Sequence, residues 1–151
     1  MLPLQLINRC RRRMLVRMLA GAALTLPSLL TKAAERVTSF APERRWFDAA
    51  LSMRRLAESW GDQSYGAVLV ADGAIIGEGP SRVFQRGDPD AHAEREAIRD
   101  AQRRLGRTLL AGSVLYSTSR PCRLCEAAAA KAQVARMIYG EGLNDAGEPK
   151  P

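Results

Sequence analysis

Apolar residues recur at Trp46, Ala50, Met53, Ala57 and Trp60, in steps of four, three, four and three. This spacing predicts one helix with a single apolar stripe packed on a sheet, and it puts both tryptophans in the core. Pro42 suits the first turn of that helix, where a missing N–H costs nothing. Gly61 and Asp62 end it. Residues 65–70 are rich in small and β-branched side chains and read as a strand. Asp72-Gly73 is a hairpin-turn pair, so residues 74–79 return as a second strand. Residues 80–90 are polar, with Gly and two prolines, and read as a loop over the mouth of a site. A second helix is predicted over 91–105, with Ala97, Ala101 and Leu105 on one face and Ile98 beside it. Gly106 is placed to cap its C-terminus. Residues 113–117 form a third strand, and Pro121 opens a helix that continues through the alanines at 127–130. Residues 136–139 make a fourth strand, ended by Gly140, and the polar tail 141–151 is expected to fray. The order αββαβαβ places a sheet between helices, an α/β sandwich.

The chain has 151 residues, 46% of them hydrophobic, which allows one domain with a proper core and a tail. Its net charge of +7 suggests a polyanionic partner, but the charge is unevenly placed. Residues 1–33 hold Arg9, Arg11, Arg12, Arg13, Arg17 and Lys32 and no acid; the rest has 17 basic against 16 acidic residues. The body therefore lacks the basic footprint of a protein that grips phosphates, and no nucleic-acid partner is expected. The basic segment Arg11–Arg17 precedes a charge-free run from Met18 to Thr31, the layout of an export leader. Arg12-Arg13-Met14-Leu15-Val16-Arg17 resembles the bacterial twin-arginine signal, and Thr31-Lys32-Ala33 is a small-x-small cleavage site. The expected division is a leader at 1–33 and a working domain at 34–151. A periplasmic or otherwise exported location follows, with the cytoplasm as the alternative. The uncharged run is short of the ~20 residues that cross a bilayer, and Pro27 interrupts it, so no permanent membrane span is expected.

Chemistry concentrates in two strings, His92-Ala93-Glu94 and Pro121-Cys122-Arg123-Leu124-Cys125. Cys122 and Cys125 alone would also suit a redox pair. The motif at His92 makes shared metal ligation the better account. Residues three apart on a helix share a face, so both sulfurs can reach one ion. A helix N-terminus favours thiolate over thiol. Zinc prefers this imidazole and sulfur set in tetrahedral geometry, and three protein ligands leave a fourth position for water. Zinc lowers the pKa of that water to roughly 7. Glu94 can stand beside the water without ligating and carry its proton to a leaving amine. The inventory suits hydrolytic attack on an amidine-like ring carbon with loss of ammonia.

The pattern H-x-E…P-C-x-x-C is the signature of zinc deaminases. From about Trp46 to Gly140 the chain resembles the cytidine/deoxycytidylate deaminase superfamily, nearest the branch of tRNA adenosine deaminases and guanine deaminases. The resemblance rests on Gly66-Ala67-Val68-Leu69-Val70, Ile76-Gly77-Glu78-Gly79, Asp88-Pro89-Asp90-Ala91-His92-Ala93-Glu94, Leu115-Tyr116-Ser117-Thr118, the two-cysteine string and Ile138-Tyr139-Gly140. It implies a three-layer α/β/α sandwich of the cytidine deaminase-like type. It implies one Zn2+ per chain on His92, Cys122 and Cys125, with Glu94 as the proton shuttle. It further implies that the Ala93 backbone N–H helps hold the base, and that the chain forms a homodimer or larger homo-oligomer.

Four positions depart from that branch. Ser81 stands where the branch has an Asn that bonds the base, which makes Ser81 a candidate substrate contact. Arg120 replaces a Glu, and Arg123-Leu124 replace Pro-Met between the cysteines. Solvated surface arginine is the favoured reading of this pair over an anion contact. Arg95, Arg99, Arg103 and Arg104 alternate with Glu96 and Asp100 and read as another solvated face. The expected activity is a zinc-dependent hydrolytic deaminase of a free nucleobase, nucleoside or related small amine. The alternatives are a tRNA adenosine deaminase, converting adenosine to inosine, and a catalytically degenerate zinc-binding module.

Overall fold

A computed structural model of the chain describes residues 41–151. The leader read at 1–33 and the linker up to residue 40 lie outside the described residues. The elements are α1 (Arg44–Ser59), β1 (Gly66–Ala71), β2 (Ala74–Pro80), α2 (Val83–Arg86), α3 (Ala93–Leu105), β3 (Val114–Ser117), α4 (Arg123–Lys131), β4 (Arg136–Tyr139) and β5 (Asn144–Gly147). One sheet takes the order β2-β1-β3-β4-β5. Strand β1 pairs antiparallel with β2 and β3, β3 runs parallel to β4, and β5 returns antiparallel beside β4. Asp72 and Gly73 turn the first hairpin at φ 51° and 71°, the left-handed pair that a two-residue connection requires.

Alternation along the strands sorts the core into two faces. Val68, Val70, Tyr116 and Ile138 meet Trp46 and Ala50 of α1. Ala67, Leu69, Leu115 and Met137 meet Ala97, Ile98 and Ala101 of α3 and Ala129 of α4. The result is the three-layer α/β/α sandwich expected from the sequence. Fully burying one Leu or Ile contributes about 1.5–3 kcal/mol, so the sheet's two covered faces carry most of the stability.

Helix α3 sits unusually close to β2. A Cβ on Gly77 would meet the Ala97 carbonyl oxygen at 2.2 Å, and one on Gly79 would meet the Ala93 carbonyl oxygen at 2.0 Å. Both contacts are backbone, so no side chain can give way. Gly79→Ala is expected to destabilise the fold by about 1–3 kcal/mol or more. Calorimetry should show this as a Tm lower by about 5–15 °C. An unchanged Tm would mean that the helix is not seated on bare strand backbone.

Four expectations change. Trp60 is not core: it ends α1, is 37% exposed, and lies under the Arg82 guanidinium at 4.5 Å. Leu105, at the last turn of α3, is also exposed. In both cases the apolar stripe runs past the edge of the sheet. The polar stretch 80–90 contains the short helix α2, closed by Gly87 at φ 60°. Residues 144–147 do not fray; they pair with β4, Pro149 is buried, and the Lys150 N–H donates to Glu126 Oε1 at 3.3 Å.

Candidate metal centre and substrate recess

His92 and Cys122 are the N-cap residues of α3 and α4, both in extended backbone conformation. Caps sit half outside the helix, so their side chains project from its end rather than along its flank. Cys125 follows one turn into α4 and is fully buried, and its N–H donates to Cys122 Sγ at 3.4 Å. The local fold thus draws both sulfurs together before any ion is considered. His92 Nδ1 lies 3.6 Å from Cys122 Sγ and 3.4 Å from Cys125 Sγ. All three ligand atoms fall within 4.8 Å of one another. A tetrahedral ion with Zn–S near 2.3 Å and Zn–N near 2.0–2.1 Å sets sulfur and nitrogen about 3.6 Å apart. The donor set and its spacing therefore fit zinc.

Glu94 is 6% exposed, and its Oε2 lies 3.4 Å from Cys125 Sγ. Burial holds its carboxyl above the usual range, against the pull of its own backbone N–H, Cys125 and His92. A carboxyl held there suits a group that takes up and returns a proton. Burial and the adjacent Glu94 carboxylate push the Cys125 thiol far up. A cation beside the sulfur favours its thiolate, so ion binding and proton release are coupled here.

Ala93 is buried and is the first residue of α3, so its N–H has no acceptor within the helix. Ser81 is fully buried, and its hydroxyl donates to Asp62 Oδ1 at 2.9 Å. Asp62 also accepts from the backbone N–H groups of Gln63 and Gln85, both at 2.8 Å. The Ser81 hydroxyl proton thus braces the α1–β1 turn against the β2–α2 turn. Burial raises the Asp62 carboxyl, but the hydrogen bonds from Gln85, Gln63, Ser81 and Phe84 outweigh it and hold the group below its usual range. A depressed carboxyl stabilises the fold above its unfolded pKa of about 3.9 and loses that contribution as pH falls through the lower folded value. Wild-type Tm should therefore drop more steeply below about pH 4 than the Tm of Asp62→Asn. Parallel acid melts of the two proteins would show the prediction wrong.

The alternation of charges along α3 puts Glu96 on a solvated face, yet it is 2% exposed. Arg86 and Arg99 reach its Oε1 at 2.9 and 2.8 Å, and Arg82 stands 3.8 Å from Oε2. The two loop arginines supply partners ten and fourteen residues upstream, which helical spacing alone does not reveal. Loop 80–90 is therefore clamped by Asp62 on one side and Glu96 on the other.

An open recess of about 750 Å³ adjoins His92 and is lined by Arg54, Gln63, Ser64 and Tyr65. The α1–β1 turn, rather than loop 80–90, forms this wall. Sequence reading missed these residues and placed Tyr65 in a strand, whereas β1 begins at Gly66. The available signal was a short polar turn between an amphipathic helix and an apolar strand. Arg123 is exposed, and Arg120 lines a separate cleft of about 280 Å³ with Glu126, Tyr139, Asp145 and Lys150.

The family described as "Cytidine and deoxycytidylate deaminase zinc-binding region" matches residues 41–141. The chain is similar to a tRNA-specific adenosine deaminase of Buchnera aphidicola, 35% identical over 100 residues and covering 66% of each chain. It is 43% identical over 84 residues to a guanine deaminase of Bacillus subtilis, covering 56% of this chain and 54% of that protein. The chain thus spans between about half and two thirds of these relatives' length. Among solved structures, one from a study of tRNA:A34 deaminases matches with a TM-score of 0.63 at 38% identity, covering 65% of this chain and 71% of that one. The Bacillus subtilis guanine deaminase structure gives a TM-score of 0.63 at 35% identity, covering 66% and 64%.

Proposed function

Because the chain belongs to the cytidine and deoxycytidylate deaminase family, we propose that it is a zinc-dependent hydrolytic deaminase of a free nucleobase, nucleoside or related small amine, releasing ammonia. The observation that carries this reading is the convergence of His92 Nδ1 and two sulfurs beside a buried carboxylate that is not one of the three. His92, Cys122 and Cys125 would hold the ion, which would supply hydroxide from water at neutral pH. Glu94 takes the proton from the attacking water and delivers it to the departing amine. The Ala93 N–H, at the start of α3, is the donor that orients the ring. Ser81 is an indirect contributor in this scheme, since its hydroxyl proton is committed to Asp62.

A screen of purified zinc-loaded protein for ammonia release from bases and nucleosides tests the reading directly. Zinc bound at one per chain with no ammonia from any of them would favour a degenerate binding module instead. A tRNA adenosine deaminase is the second reading, favoured by the names of the relatives at 35% and 38% identity. Inosine formed in tRNA, with no turnover of free nucleosides, would select it. Export through the twin-arginine-like leader and assembly into a homodimer or larger homo-oligomer belong to the same proposal. Cell fractionation and sedimentation test them separately. Among the described residues no helix is long and apolar enough to cross a membrane.

A further inference from the structure

Ser81 and Ala91 are buried, but no residue of the loop 82–90 between them is. Its largest apolar side chain, Phe84, is 66% exposed, so the loop has no anchor in the core. Backbone bonds close it on itself: the Arg82 N–H donates to the Ala91 carbonyl at 3.0 Å, and the Ala91 N–H to the Asp88 carbonyl at 3.0 Å. The Gln85 N–H on Asp62 and the Arg82 guanidinium over Trp60 reach outside it. The other attachments are charges. The loop has four charged residues, and each meets an opposite charge on α3.

These pairs are unequal. Asp90 lies 2.7 Å from Arg95 and Asp88 lies 3.5 Å from Arg99, in partly exposed pairs of a kind that contributes little. Arg86 and Arg82 lie 2.9 and 3.8 Å from Glu96, which is buried. Among the described residues neither arginine has another carboxylate within ion-pair distance. A buried carboxylate is screened much less by salt than an exposed one, so Glu96 carries the closure of the loop. The far end of the loop is the metal centre. Ala91 precedes His92, and the Glu96 N–H donates to the His92 carbonyl at 2.9 Å. Glu96 therefore grips His92 through its own backbone, and the loop leading into His92 through its side chain.

Building on the zinc reading above, we propose that Glu96 is a positioning residue for the metal centre. Its carboxylate locks loop 82–90 onto α3 and so fixes the direction from which His92 meets the ion. Glu96→Gln keeps the size of the side chain and the backbone bond to His92, and removes only the lock. The side chains of Arg82, Arg86 and Arg99 are 31–40% exposed, so they can turn to water and the fold survives.

The experiment compares the full zinc-loaded chain with Glu96→Gln, Arg86→Ala, the double variant and Arg103→Ala. Arg103 pairs with Asp100 on its own helix and serves as the control. Hydrogen exchange reads loop opening, and equilibrium competition with a chromophoric chelator reads zinc affinity. In Glu96→Gln the amides of loop 82–90 should exchange about tenfold faster, while those of α1 and β1 change less than twofold. Zinc should bind about tenfold more weakly, the lower end of what supports of a metal ligand contribute, and should still saturate at one per chain. Arg86→Ala should move both readings in the same direction, the double variant should go no further than Glu96→Gln, and Arg103→Ala should move neither. Exchange that rises evenly over the whole domain, an unchanged loop, or zinc affinity within twofold of wild type would overturn the proposal alone. A wild-type chain that takes up no zinc would overturn the metal reading and the proposal with it.

Discussion

Glu94→Gln should abolish ammonia release while leaving zinc in place. The substitution preserves shape and hydrogen-bonding reach but removes the site that accepts a proton. General acid–base catalysis by one positioned side chain contributes about 10²–10⁴-fold, and kcat should fall by that factor. Zinc should not leave, because the Glu94 carboxylate raises the Cys125 thiol, and neutralising it makes the thiolate easier to form. The two quantities therefore move independently: zinc by atomic absorption stays near one per chain while turnover disappears. Turnover within tenfold of wild type would remove Glu94 from the proton path.

Cys125→Ser should lose the ion and the activity together. Cys125 is completely buried, so solvent cannot replace its sulfur. A serine hydroxyl does not ionise near neutral pH and is a poor partner for zinc. Structural zinc sites contribute about 10–16 kcal/mol of apparent binding free energy, much of it shared with folding. Even a fraction of that would be visible in a thermal melt, since about 1 kcal/mol moves Tm by several degrees in a domain of this size. The expected result is a wild-type Tm that falls on adding a chelator, and a Cys125→Ser Tm that is already low and does not respond. A wild-type melt indifferent to chelation, with no zinc in the purified protein, would sink the metal assignment.

The fold was legible where a repeat in the chain reports directly on geometry. The 3.6-residue stripe of α1, the Asp72-Gly73 pair and the β-branched runs each specify backbone conformation locally, and these elements formed within a residue or two of expectation. Helix α2 was not legible, because four residues give no periodicity. Strand β5 escaped because Asn144, Asp145 and Ala146 are exposed, so no alternation marks it. Ligand residues could be found from spacing, since His92, Cys122 and Cys125 are rare residue types in a recognisable order. The carboxylates could not. Asp62 and Glu96 look like ordinary surface acids until Gln85, Arg86 and Arg82 are brought beside them by the path of the loop.

The two sulfurs are unequal neighbours: Cys122 faces solvent and Cys125 does not. An ion held between them would be guarded on its inner side by packed sheet and helix, and reachable only from the outer rim. A competing small thiol could displace just one anchor at a time, always the same one. Exchange with the surrounding medium would then be ordered, with the outer bond yielding first and the inner bond setting the residence time.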